Sequence, residues 1–187
     1  RAGTKILVSN NETKKIIIDE YNVIQEKISI VPNGVDLSMF DITKKKNPKK
    51  VVFAGAMYYH RGLDVLLETI PLVIEKIPDA KFVLLGSGTE MDKLKEIVSK
   101  NKLDNSVEFK GWIEREKIPE NIADASIGIG PLRLTEVTSR ALPIKVLEYM
   151  AVSLPLIAQK GTLPNDVLEN EKNGFFIENH IELAEKI

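Results

Sequence analysis

Lys50-Val51-Val52-Phe53-Ala54-Gly55 is a short apolar run that closes on glycine, and residues 63–77 after it carry helical periodicity. Lys81-Phe82-Val83-Leu84-Leu85-Gly86 then repeats the first pattern. Each run is too short for a helix and is apolar at consecutive positions, which marks a strand buried on both faces. Working outward, residues 90–100 read as a helix, 106–110 as a strand, 115–123 as a helix and 125–131 as a strand that stops at Gly130-Pro131. A helix over 143–151 and a strand over 154–158 follow. Such alternation requires a parallel sheet covered on both faces, and an α/β, Rossmann-like doubly wound domain is the economical arrangement. Pro71 predicts a kink or break within 63–77.

Upstream, residues 5–9 read as a strand, 11–20 as a helix and 27–31 as a second strand. Pro32-Asn33-Gly34-Val35-Asp36 predicts a tight turn, Asn33-Gly34 being its signal. Residues 41–50 hold Lys44, Lys45, Lys46, Lys49 and Lys50 around Pro48 and read as a solvated linker. The segment before that linker is too small to fold as a domain of its own.

The chain has 187 residues, 43% hydrophobic and 28% charged, with a formal net charge of −1. These values describe a soluble globular protein and give no reason to expect nucleic acid, whose binding modules are usually basic. No apolar run approaches the length of a membrane span. Cysteine is absent. That excludes disulfides, zinc thiolate sites and cysteine nucleophiles, and suits a cytoplasmic location. Arg1 in place of Met raises the expectation of a piece cut from a longer protein.

Pro143-Ile144-Lys145-Val146-Leu147-Glu148-Tyr149-Met150-Ala151 is apolar nearly all round except at Lys145 and Glu148. Those two side chains point about 60° apart on one helix face. A helix so coated is buried, so the pair either neutralises itself inside the protein or looks into a polar cleft. The setting favours the cleft. A strand ends at Gly130, an irregular loop follows, and Pro143 suits the first helical position, leaving the N–H groups of Ile144, Lys145 and Val146 to meet an anion. Carboxyl ends of parallel strands are where ligands bind.

Three other loops leave strands at that edge. Gly55 allows close backbone approach, and Arg61 supplies a permanent phosphate donor near a helix start. His60 reads as a surface imidazole before a base. Gly86-Ser87-Gly88-Thr89-Glu90-Met91 resembles the dinucleotide fingerprint only in part, since Met91 stands where a third glycine belongs, and reads as a turn with Thr89 capping the next helix. Gly111-Trp112-Ile113 holds the only tryptophan, either a core or interface anchor or a flank for a nucleobase.

The residues together resemble glycosyltransferase family 4, the group 1 glycosyl transferases. The likeness rests on Val31-Pro32-Asn33-Gly34-Val35-Asp36 with Phe40, on Phe53-Ala54-Gly55 with Arg61-Gly62-Leu63-Asp64, and on Leu85-Gly86-Ser87-Gly88. Val107-Glu108-Phe109-Lys110-Gly111, Leu147-Glu148-Tyr149-Met150-Ala151, Pro155-Leu156-Ile157-Ala158 and Asn173-Gly174-Phe175 continue it, so it covers nearly the whole chain.

The resemblance implies a retaining, metal-independent transferase that uses a nucleoside-diphosphate sugar as donor substrate, needs no cofactor, and has two Rossmann-like domains in the architecture called GT-B. Residues 1–46 would be the end of an N-terminal acceptor domain and the hinge. Residues 47–187 would be the donor-binding domain, cut short at its C-terminus. The missing acceptor domain would be a partner of this piece and could bring peripheral membrane contact; the piece alone would bind donor and turn over nothing. Glu148 would accept hydrogen bonds from the ribose hydroxyls and Arg61 would hold the diphosphate, these two being the implied catalytic residues. Gly55, Gly111, Trp112, Ile113, Arg140, Ala141, Leu142, Ile144 and Lys145 would complete the substrate site, with the backbone of residues 111–113 at the base.

Two positions depart from the family pattern. Arg140 stands where the first of two glutamates belongs, and Ala56 where an arginine is common. Lys145 is expected to supply part of the missing phosphate charge, unless it merely pairs with Glu148, and Arg140 to alter sugar recognition. A nucleotide-sugar 2-epimerase-like isomerase and a non-catalytic nucleotide-sugar-binding or scaffold domain remain as alternative readings. A nicotinamide oxidoreductase lacks its fingerprint at the first strand.

Overall fold

In the computed structural model, which describes residues 5–187, six parallel strands form the main sheet. They are β3 (Lys50–Ala54), β4 (Lys81–Leu85), β5 (Val107–Gly111), β6 (Ile127–Ile129), β7 (Leu156–Gln159) and β8 (Gly174–Ile177), in the spatial order β5-β4-β3-β6-β7-β8. The expectation attached to Arg1 lies outside the described residues. The chain builds outward from β3 in one direction, then returns to build the other half from β6. A crevice is left where the order reverses, between the carboxyl ends of β3 and β6.

Alternation within each strand sorts the core into two layers. Val51, Phe53, Phe82 and Leu84 face one side, where they meet α2 (Leu63–Lys76), α3 (Met91–Lys100) and α6 (His180–Lys186). Val52, Ala54, Val83 and Leu85 face the other, against α4 (Ile118–Ile122) and α5 (Ile144–Ala151). This double burial is why β3 and β4 read as unbroken apolar runs. Upstream, β1 (Ile6–Val8) and β2 (Ile28–Ile30) pair in parallel around α1 (Asn11–Tyr21) as a separate two-stranded sheet.

Several local expectations are corrected. Helix α2 runs through Pro71 without a break. The segment 31–36 contains no turn, and Gly34 does not take a positive φ. Asn33 spends its side chain on a distant carbonyl, that of Leu142, 3.1 Å away. Thr89 does not cap α3. Glu90 occupies that position without a side-chain bond, and backbone carbonyls of Met57 and Gly88 take the N–H groups of Glu90 and Met91. Residues 115–123 divide into a 3₁₀ turn, Arg115–Lys117, and the five-residue α4.

The lysine-rich stretch before β3 is not merely a solvated linker. Lys46 Nζ donates to the carbonyls of Ala123, at the end of α4, and Val152, at the end of α5, at 2.8 and 2.9 Å. Lys44 meets the Glu120 carbonyl, and Lys50 pairs with Asp124 at 2.6 Å. Helix C-termini concentrate unsatisfied carbonyls and partial negative charge, so the cations find partners there that their sequence neighbours do not announce.

One side chain joins α5 to the middle of the sheet. Tyr149 is fully buried; its hydroxyl accepts from Ala54 N–H at 2.7 Å and faces the Ile129 carbonyl at 3.4 Å. Strands β3 and β6 pair only at Val51 with Ile127 and Val52 with Gly128, so the phenol bridges them just where they part. Its ring lies on Gly128, where an added Cβ would stand 2.6 Å away. Tyr149→Phe should lower stability by about 1–3 kcal/mol, because Ala54 N–H is left buried without a partner; urea unfolding would measure it. Lys46→Met should cost about 0.5–2 kcal/mol by the same measurement, by stripping charge from two helix ends.

Candidate functional site

Four segments converge above the parting of β3 and β6: the loop after β3, the residue run before α4, the loop after β5, and the first turns of α5. Gly55, Arg61, Ile144, Lys145 and Glu148 line a cleft of about 330 Å³ together with Arg115. Next to it, a second hollow of about 360 Å³ is lined by Tyr58, Ser87, Trp112 and Ile113, and the two share Gly55, Ala56 and Ile118. Gly111 closes β5 beside them, its carbonyl accepting Gly86 N–H at 2.7 Å.

The glycines of the 86–88 turn serve loop packing. A Cβ at Gly86 would meet the Gly55 carbonyl oxygen at 2.0 Å, and Met57 N–H donates to the Ser87 carbonyl at 2.9 Å. That contact fixes the loop after β3, and with it Arg61.

Helix α5 begins one residue later than expected. Pro143 is extended and sits in the capping position, and its carbonyl accepts Val146 N–H at 3.0 Å. Val146 is therefore not available to an anion, whereas the N–H groups of Ile144 and Lys145 have no backbone partner among the described residues.

Lys145 and Glu148 are each 7% exposed. Neither forms an ion pair among the described residues, so mutual neutralisation does not explain their burial. Among the described residues Lys145 Nζ has no hydrogen-bond partner, and it lies 3.3 Å from the centroid of the Phe53 ring. Gly55 makes room for it, since a Cβ there would stand 3.1 Å from that nitrogen. Arg61 also keeps a buried, unpartnered Nε. Burial holds the Lys145 pKa well below the usual 10.5, and the Arg61 charge lowers it further while Glu148 opposes. Burial raises the Glu148 pKa, against the pull of Arg115 and then Lys145. His60, beside Arg61, is lowered mainly by burial.

Two basic side chains without hydrogen-bond partners for Arg61 Nε and Lys145 Nζ line one cavity at the sheet's carboxyl edge, beside the free N–H groups of α5, and such a set is suited to an anion. Glu148 adds a two-oxygen acceptor on a rigid helix, suited to a pair of hydroxyls. Trp112 is 72% exposed at the rim, so it is not a core anchor. Sequence reasoning missed Arg115 and Tyr58, which carry no motif and reach the cleft only through the fold. Arg140, Ala141 and Leu142, expected in this site, line a cleft of about 490 Å³ against the upstream segment. There Asn10 and Asn33 donate to the Arg140 and Leu142 carbonyls at 2.8 and 3.1 Å.

Another concavity, about 690 Å³, starts at Lys50 and Lys81, the first residues of β3 and β4. Its lysines are committed to Asp124, Glu108 and backbone carbonyls, so it offers no unsatisfied charge comparable to Lys145. Among the described residues, no three His, Asp or Glu side chains are placed to share a metal ion, and no helix is long and apolar enough to cross a membrane.

The family described as "Glycosyl transferases group 1" matches residues 48–187. The chain belongs to that family. A UDP-Gal:alpha-D-GlcNAc-diphosphoundecaprenol alpha-1,3-galactosyltransferase of Escherichia coli is 30% identical over 95% of this group 1 chain and 48% of its own length. The GtfA subunit of a Streptococcus pneumoniae UDP-N-acetylglucosamine–peptide N-acetylglucosaminyltransferase is 24% identical over 91% of the chain and 33% of its own. The chain thus spans about half or less of the length of these relatives. Among solved structures, the pneumococcal O-GlcNAc transferase GtfA with UDP and GlcNAc superposes with a TM-score of 0.78 over 97% of this chain and 36% of its own, at 20% identity. Anabaena Alr3699/HepE with UDP-glucose gives 0.78 over 99% and 53%, also at 20%. These likenesses show the Rossmann-like fold of GT-B glycosyltransferases.

Folding favours the uncharged form of Lys145 relative to the unfolded chain. The stability lost to its burial is greatest below its depressed pKa and vanishes as pH rises to the usual 10.5. Lys145→Met should therefore stabilise the protein near pH 7 by about 1–4 kcal/mol. The gain should shrink steadily toward pH 10, as followed by thermal unfolding in a pH series.

Proposed function

We propose that residues 47–187 are the donor-binding half of a retaining glycosyltransferase that takes its sugar from a nucleoside diphosphate, and that residues 1–46 are the end of an acceptor domain and the hinge. The observation that carries this reading is the unpartnered pair Arg61 and Lys145 over the free N–H groups of α5. A diphosphate bridging them would give acceptors to both basic side chains and accept from the helix start. As the glycosidic bond breaks, negative charge grows on the leaving diphosphate, and groups already held in place stabilise it without reorganising. Glu148 would receive the two ribose hydroxyls, and the backbone of residues 111–113, with Tyr58 and Trp112 at the rim, would enclose the base. In this reading Arg61, Lys145 and the α5 N–H groups take the charge of the leaving diphosphate, so the proposal includes no cofactor or metal.

Uracil is the proposed base. The support is that the E. coli relative is named for UDP-Gal and that structures of GtfA and Alr3699/HepE hold UDP or its sugar. The acceptor, a glycan, lipid or small molecule, would be bound by the other domain, together with any contact to a membrane surface. A cytoplasmic site of action fits a nucleotide-sugar donor. Arg140, in the cleft facing the upstream segment, would touch the transferred sugar rather than the phosphates.

Calorimetric titration with UDP, GDP and ADP tests the reading. UDP should bind most tightly, and Arg61→Ala and Glu148→Ala should each weaken it about tenfold to a hundredfold, the worth of one charge-assisted hydrogen bond. Failure to bind any of the three would overturn it, and sugar transfer by this chain alone would overturn the assignment of acceptor chemistry to a missing domain.

A further inference from the structure

We propose that Lys145 is an uncharged amine in the empty cleft and takes up a proton from solvent when a nucleoside diphosphate enters, so the site gains its second cation only with ligand in place. The inference rests on the diphosphate reading of the cleft and adds a proton to its binding equilibrium.

Geometry carries it. An ammonium has three donors to satisfy, and Lys145 Nζ satisfies none among the described residues. The Phe53 ring at 3.3 Å offers one face to a cation but accepts no full hydrogen bond. The charged groups around the amine do not compensate. From the loop after β3, Arg61 is a permanent like charge and His60 adds nothing negative. From α5 itself comes Glu148, the one carboxylate acting on it, and Arg115, before α4, draws on that same carboxylate. A cation in this place stays desolvated and repelled, and shedding the proton removes both costs.

A diphosphate reverses every element of that balance. Its oxygens supply the missing acceptors, and its negative charge screens Arg61 and outweighs it. The step is Lys145–NH₂ plus one solvent proton plus nucleotide, giving Lys145–NH₃⁺ bound to the diphosphate; no covalent bond in the ligand changes. Release of the nucleoside diphosphate runs the same step backwards and returns the proton. Affinity consequently falls as pH rises. Glu148 works with the opposite sign. Hydroxyls donated to it favour its ionised form, so its contribution to binding is proton release.

Two measurements decide the matter. Lysine labelled at ¹³Cε reports the charge on each amine in the free protein at pH 8, with the Lys145 resonance assigned by its loss in Lys145→Met. An uncharged Lys145 that becomes charged on adding UDP is the expected result. A Lys145 already charged in the free protein overturns the proposal and leaves the donor reading standing. Calorimetry with UDP at pH 8 in HEPES and in Tris, buffers with different ionisation enthalpies and no phosphate, then counts protons, the terminal phosphate of UDP being largely ionised there. Close to one proton should be taken up per nucleotide, through linkage at this single group. Uptake should vanish in Lys145→Met and persist in His60→Gln and Glu148→Gln. Tight UDP binding with equal heats in the two buffers overturns the proposal, as does uptake that disappears with His60. Absence of UDP binding would overturn the donor reading itself.

Discussion

The hydroxyl of Tyr149, lodged between the Ala54 N–H and the Ile129 carbonyl, is the contact on which the rest of the architecture turns. Reversal of strand order forces β3 and β6 apart at their carboxyl ends. Parting strands leave backbone donors and acceptors without partners, an expensive condition in a fully buried place. The phenol closes that gap with a side chain from α5, and so the helix that carries Lys145 and Glu148 is set by the sheet's own unmet hydrogen bond. Gly128, by offering no Cβ, lets the ring lie flat enough to reach.

The consequence is a helix held firmly in a place unfavourable to its own polar residues. Lys145 and Glu148 are carried into the interior by the same apolar face that stabilises α5, through Val146 and Tyr149. Stability and ligand recognition are in opposition at Lys145. A hydrophobic side chain would suit the empty fold, and only an anion in the cleft rewards the lysine. Arg61 stands in the same relation, positioned by the interlocked loops after β3 and β4.

Much of this was legible in the amino-acid sequence because burial on both faces leaves an unmistakable trace. The runs at 50–55 and 81–86 announce central parallel strands, and the polar pair within 143–151 announces a cleft because so coated a helix has nowhere else to put charge. Local rules failed where distant partners intervened. Asn33-Gly34 has the composition of a turn, but Asn33 is recruited by the Leu142 carbonyl. Pro71 lacks an N–H, yet packing of Leu66, Leu67, Ile70 and Val73 holds α2 continuous. The lysines before β3 look solvated because their acceptors are helix-end carbonyls 77 and 106 positions away. Arg115 reaches Glu148 only through the turn before α4, for which no periodicity gives a signal.

Asn10 and Asn33 give the upstream segment its two side-chain grips on the loop that leads into α5. Both bonds are solvent-exposed amide-to-carbonyl contacts, each worth about 0.5–1.5 kcal/mol, and water replaces either partner at once when they part. Among the described residues, the junction ties the segment between Asn10 and Asn33 to the entry of α5 at two exposed points. Lys46, by contrast, grips the ends of α4 and α5 and so belongs to the six-stranded sheet.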